Sequence, residues 1–305
     1  MNAADTIQQS LTPGQRWRYR LMRGALGTVA RLPLGLLYGL SDFAAFMLYR
    51  VVKYRRGMVA DNLRRAFPEA SAGQRAAWER EFYSHLCDVF VEAAKLAHVS
   101  DREMARRVTV EGMELINAPL RDSRPVILLL GHYGNWEWVT AMARHIEPGA
   151  VMCEVYHPLS DKVFDRLMLD LRSRFGTLNI PMARTVRYLL GLKREGQNFI
   201  CGFIADQRPF TPELKHWTDF MGIDTPYVNG GEVIGRKVGA DFIYVDVEPR
   251  RRGYYHLTLR PILPSAGLQG EENPFTVEYL RMLERTIRRN PPYWLWSHNR
   301  WKRSR

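Results

Sequence analysis

The stretch "PVILLLGHYGNWEWVTAMARHI", residues 125–146, decides the fold. Its first six residues are an unbroken apolar run. Such a run reads as a strand buried on both faces, the mark of a mainly parallel sheet. Its last eleven residues, "WEWVTAMARHI", read as a helix. Between them lie two glycines, an amide and one imidazole, His132, with the carboxylate of Glu137 five residues further on.

The alternation repeats downstream. "AVMCEVY" (150–156) reads as a strand, and "DKVFDRLMLDLRSRF" (161–175) as a helix with Asp161 near its start and Gly176 at its end. "TVRYLLGLKREG" is a further helix and "NFICGFIAD" (198–206) a further strand. "DFIYVDVEP" and "YYHLTLRPI" flank "RRRG" as a hairpin. Asn273-Pro274 opens a helix that stops before "NPP". Upstream, residues 53–100 read as helical, while 101–124 read as polar and loop-like, with a short strand candidate at "RVTVEG". The expected class is α/β: a central, mainly parallel sheet with helices on both faces, preceded by an N-terminal helical membrane-associated segment. The expected division is residues 1–60 for that segment and 61–305 for the α/β body. Ligands of such sheets sit beyond the carboxyl ends of the strands. His132 and Asp206 are placed there.

Charge is unevenly spread. Residues 1–65 hold eleven Lys/Arg against three acids, and residues 281–305 hold eight against one. The formal charge is +12, which leaves about −3 for the middle. Basic ends around a near-neutral body suit an anionic surface such as phospholipid head groups. Nucleic acid is disfavoured, because no nucleic-acid-binding motif accompanies the charge. Residues 21–52 are mostly apolar, but Arg31 and Asp42 interrupt them. The longest uncharged stretch, residues 32–41, is shorter than the roughly 20 residues a spanning helix needs. The readings are a pair of amphipathic helices broken near Pro33 in the membrane interface, a tilted anchor, or a buried core pair. The basic flanks favour the first two. Three scattered cysteines disfavour a disulfide scaffold or a zinc cluster and point to a reducing compartment.

Residues five apart on a regular helix diverge by about 140°. His132 and Glu137 can meet only if residues 131–134 form a turn and Asn135 caps a helix whose first turn holds Glu137. An ionised Glu137 would then fix the imidazole tautomer and leave the other nitrogen to take a proton from a substrate hydroxyl. No Ser or Cys lies nearby as a nucleophile, which favours direct attack by a substrate alcohol. A strand-end turn that merely contains a His and a Glu is the competing reading. A zinc site is weaker, because the spacing is not HExxH and no third ligand is evident.

"GHYGNWEW" resembles the His-x4-Asp/Glu motif of the lysophospholipid-type acyltransferases, in the form found in the lipid A biosynthesis late acyltransferases. "VYHPLSDKVFDRLMLDLRSRFG", "ADQRP" and "PPYWLWSHNRWKR" resemble three further blocks of that family, in order. One departure is His157, where members often carry Arg. The resemblance implies that His132 is the general base and Glu137 its orienting carboxylate. The substrates it implies are an anionic glycolipid acceptor, most simply a lipid A precursor, and an acyl carrier protein or coenzyme A thioester. Arg174 is the first candidate for the oxyanion donor, with Arg172 behind it. Asn135, Tyr156, His157, Asp206, Gln207, His298 and Arg300 are expected to line the substrate site. Trp296, His298, Arg300 and Lys302 would face the head group or form a plain basic membrane face. No cofactor or metal is implied. The implied location is the inner membrane, with the catalytic body towards the cytoplasm. Rival readings are transfer to a phosphoinositide mannoside or an aminolipid, a hydrolase, or a non-catalytic lipid-binding protein on the same fold.

Overall fold

The computed structural model describes residues 11–209 and 214–302. Residues 1–10 and 303–305, parts of the two basic ends expected at the membrane, lie outside the described residues. Nine strands are described: β1 Val108–Glu111, β2 Val126–Leu130, β3 Val151–Tyr156, β4 Leu178–Pro181, β5 Phe199–Ile204, β6 Trp217–Phe220, β7 Ile223–Pro226, β8 Asp241–Arg251 and β9 Tyr254–Pro261. Seven form one sheet in the order β1-β9-β8-β2-β5-β3-β4. Only β8 and β9 pair antiparallel within it. The mainly parallel α/β expectation holds. The apolar run is the central strand, with all five residues of β2 buried.

Several elements were not legible. The loop-like 101–124 segment contains two helices, Asp101–Arg107 and Glu114–Arg121, around β1. The first has seven residues and buries only Met104, too little for a periodicity. The second carries Pro119 inside it. The short strand β4 ends on a proline. The β6–β7 hairpin and the glycine-rich helix Gly230–Val238 also went unread. The "WEWVTAMARHI" helix is present but wound as a 3₁₀ helix over Trp136–His145.

The N-terminal segment is a helix pair, Pro13–Arg31 and Leu34–Phe46, broken at Pro33 as expected. Leu34, Leu37, Ser41 and Ala45 face inward. The opposite side exposes Leu36, Leu40, Phe43 and Phe46. Leu34–Val51 is long and apolar enough to cross a membrane by composition alone. Its inner face, however, is tied to the long helix Ala72–Lys95 and to the β8–β9 turn: Ser41 donates to Asp88 (2.6 Å), Tyr38 donates to Glu92 (2.8 Å), and Arg252 bridges Asp42 and Asp88.

Glu92 is fully buried and accepts from Tyr38, Asn135 and Tyr255. Burial pushes its carboxyl up to about 7, against those three hydrogen bonds. The native state therefore holds an extra proton between the ordinary glutamate range and about pH 7, and stability falls as pH rises through that window. The slope is at most about 1.4 kcal/mol per pH unit. Glu92→Gln keeps a hydrogen-bonding group there and should flatten the fall. Thermal midpoints between pH 5 and 7 test this; equal slopes in both proteins would show that Glu92 does not titrate there.

Candidate active site

β2 and β5 are parallel neighbours with Leu130 opposite Ile204. Carried two residues past each strand, the same register sets His132 opposite Asp206. The Asp206 carboxylate takes three hydrogen bonds. His132 Nδ1–H donates to Oδ1 at 2.7 Å, while the His132 backbone N–H and Trp294 Nε1–H each donate to Oδ2 at 2.8 Å. Burial alone would raise this carboxyl. The His132 charge, its two hydrogen bonds and Trp294 outweigh it and hold Asp206 below the usual range. A carboxylate on Nδ1 fixes that nitrogen as the protonated one and leaves Nε2 as a base. The imidazole is partly open, with 18% of its side chain exposed. The Gln207 amide nitrogen lies 3.3 Å from Nε2, and the Trp136 indole packs edge-on against the ring at 5.2 Å.

The turn depends on its glycines. A Cβ on Gly131 would lie 2.7 Å from Leu283 Cδ1 and press on Asp206. Gly134 has φ +59 and no room beside Val247. The turn is also latched from outside. Leu295 N–H donates to His132 O, Gly134 N–H donates to Tyr293 O, and Tyr133 Oη donates to Asn290 O. His85, whose ring burial drives down to about 4 and so keeps neutral, donates from Nε2 to Gly134 O at 3.1 Å.

Asn135 caps the following helix as expected, its side chain accepting from Trp138 N–H, and its amide donates to Glu92. The strand-end turn and capped helix are therefore present, but they do not bring Glu137 to His132. The carboxylate on His132 is Asp206. Glu137 is 6% exposed, and its two oxygens accept from Arg172 Nε (2.8 Å) and Nη2 (2.7 Å). The bidentate fork engages both carboxylate oxygens. Arg172, the second oxyanion candidate, is the centre of this half-buried cluster. Glu154 stands 3.6 Å from its Nε, and burial raises the Glu154 carboxyl to about 7 even with Arg172 opposing.

Arg174 is not drawn to His132. Its guanidinium donates to Val99 O at 3.3 Å and stacks on Phe175. Tyr156 is buried at the end of β3, and exposed His157 places Nδ1 3.0 Å from Pro158 O. His298 stands behind Gln207: its Nε2 accepts from Arg208 N–H, and burial lowers its ring to about 4. The basic-membrane-face reading of the C-terminal block fails for Trp296 and Arg300, both 0% exposed; Lys302 is exposed. Arg300 donates to Pro226 O, while its Nε and Nη2 have no hydrogen-bond partner among the described residues. Burial lowers its guanidinium to about 10, with Asp206 and Tyr279 pulling the other way.

Trp294 and Glu92 are the residues that sequence reasoning passed over. Trp294 sits within a quoted block and carried no separate signal. Glu92 had one: His85, Asp88, Glu92 and Lys95 form a polar stripe along the otherwise apolar inner face of the Ala72–Lys95 helix. Among the described residues, no group of three or more His, Cys, Asp or Glu is arranged to hold a metal ion.

A family model described as "Bacterial lipid A biosynthesis acyltransferase" matches residues 6–303. The lipid A biosynthesis palmitoleoyltransferase of Escherichia coli (strain K12) is 23% identical over 283 residues, 92% of this chain and 89% of that protein. The lipid A biosynthesis lauroyltransferase of the same organism is 24% identical, covering 94% of this chain and 92% of its own length. The lipid A biosynthesis myristoyltransferase is 25% identical over 56% of this chain and 52% of its own.

Proposed function

From the premise that the chain belongs to the bacterial lipid A biosynthesis acyltransferase family, and so is an acyltransferase, we propose a reaction centred on His132 and Asp206. The acceptor is a hydroxyl of a lipid A precursor, a reading supported by relatives named as lipid A biosynthesis transferases. The donor is a fatty acyl thioester of acyl carrier protein or coenzyme A. The chain thereby serves lipid A and lipopolysaccharide biosynthesis.

His132 Nε2 takes the hydroxyl proton as the oxygen attacks the thioester carbonyl. The C–O bond forms, and the carbonyl oxygen becomes an oxyanion. Collapse breaks the C–S bond and expels the thiolate, which recovers the proton from the imidazolium. Asp206 stays ionised throughout and stabilises that imidazolium. Gln207, whose amide nitrogen borders Nε2, is assigned as the donor to the developing oxyanion. Glu137 acts at one remove, holding Arg172 as the positive charge beside the turn. Asn135 sets the turn, Arg300 places charge behind Asp206, and His298 braces the Gln207–Arg208 backbone. Tyr156 and His157 border the acceptor side at the end of β3.

Residues 1–60 are assigned to the inner-membrane surface, with the body towards the cytoplasm. The exposed apolar side chains between Trp17 and Tyr54 and the basic N-terminal charge support an interfacial seat on an anionic leaflet.

The single observation that carries the reaction is the contact of one buried carboxylate with Nδ1 of a partly open imidazole, from which the tautomer follows. Purified protein is incubated with acyl carrier thioester and a lipid A precursor, and the products are weighed by mass spectrometry. His132→Ala should lower transfer by about 10³-fold or more. Transfer at the wild-type rate in that variant would refute the assignment. Thioester consumed equally fast without acceptor would make the protein a hydrolase.

A further inference from the structure

Resting on the interfacial seat proposed above, we propose that a cleft beside the N-terminal helix binds the phosphomonoester or diphosphate group of an anionic membrane amphiphile. The cleft encloses about 980 Å³ between the Pro13–Arg31 helix and the Lys162–Arg172 helix that follows β3. No residue of the His132 turn lines it.

Six arginines line it. Arg16, Arg20, Arg23 and Arg31 come from the N-terminal helix, spaced to lie along one face. Arg166 and Arg174 come from the opposite wall. Asp170, the one acid in the lining among the described residues, is already committed: it accepts from Tyr19 Oη and from Arg166 Nε. Arg20 and Arg23 make no hydrogen bond or ion pair among the described residues. Six guanidinium groups around one paired carboxylate form a strongly positive concavity. An arginine fork matches phosphate oxygens two at a time. A terminal phosphate or diphosphate offers more such oxygens than a bridging phosphodiester.

The same helix says where the occupant comes from. Its outer face exposes Trp17 (66%) and Leu21 (54%), so the arginine stripe lies at the depth where head groups begin. Leu26, Leu96 and Leu171 also line the cleft and suit the first carbons of a lipid. The volume lies at the upper end of small-ligand sites and exceeds that of a bare phosphate many times over. Arg174, which the sequence reading assigned to the oxyanion, belongs to this cleft.

The test uses the full chain and two probes. Inorganic pyrophosphate is titrated by calorimetry. Binding is also measured to phosphatidylcholine vesicles containing either phosphatidic acid, a phosphomonoester, or phosphatidylglycerol, a phosphodiester. The wild-type protein should bind pyrophosphate and prefer phosphatidic acid vesicles, with pyrophosphate competing for that preference. Arg20→Lys combined with Arg23→Lys keeps the charge and removes the forks. It should weaken pyrophosphate binding by about tenfold and erase the preference. A lysine variant that binds like the wild type would reduce the cleft to surface charge and overturn the proposal. Pyrophosphate binding without any lipid preference would assign the cleft to a soluble phosphate compound and overturn the lipid. Acyl transfer is measured separately: its absence in the wild type would remove the proposed reaction and leave the cleft result standing.

Discussion

Asp206→Asn should lower the acyl-transfer kcat by about 10³- to 10⁴-fold with little loss of stability. The size follows the loss seen when the orienting carboxylate of a Ser-His-Asp triad becomes an amide. The oxygen of the substituted amide can still accept from the His132 backbone N–H and Trp294 Nε1, so the turn keeps its shape. The new amide nitrogen then faces the ring at Nδ1. That ring nitrogen must become an acceptor, the proton moves to Nε2, and the base is lost. The thermal midpoint separates tautomer from fold: it should stay near that of the wild type while kcat collapses. Full activity in Asp206→Asn together with a dead Glu137→Gln would return the orienting role to Glu137.

Arg172→Met should cost about 3–5 kcal/mol at neutral pH, because it strands the buried Glu137 carboxylate and leaves Glu154 beside it without a counter-charge. Denaturant unfolding measures this. The loss should shrink as pH falls towards 5. Glu154 is already raised to about 7 by burial, and removing Arg172 removes what opposed that rise. A carboxyl raised in the folded state gives stability that is present at low pH and lost as pH climbs through its folded value. Glu137→Gln added to Arg172→Met should recover part of the loss. A single variant within about 1 kcal/mol of the wild type would mean that the fork is solvated in solution.

The sheet was legible because its central strand announces itself. Five consecutive apolar residues, with no polar alternation, have no comfortable place except between two other strands and two covering layers. The site was half legible. His132 and Asp206 are both expected beyond strand ends, but the glycine turn, the capped helix and the His-x4-Glu motif point to Glu137 as the partner. Register decides it instead, since β2 and β5 are neighbours and His132 and Asp206 stand at equal distances past the pair Leu130–Ile204. A single sequence does not state which strands are adjacent. Arg172 was under-read for the same reason: its helix spacing shows an arginine near a helix end, and only the packed structure brings Glu137 and Glu154 to it. Glu92 could have been read from its helix, where a carboxylate interrupts an inward face between Val89 and Ala93.

The latch on the His132 turn has a consequence for biosynthesis. Tyr133 is held by Asn290, 157 residues later, and Asp206 by Trp294, 88 residues later. The late segment is in turn pinned by Asn62, 234 residues before Trp296. Loop closures this long are slow steps in folding. At about 5–20 residues per second, a ribosome needs roughly 10–30 s to travel from the imidazole to its latch. For that interval a nascent chain carries His132 on an unfastened turn. The proposed reaction would therefore start only when the last aromatic block has emerged and closed over the first.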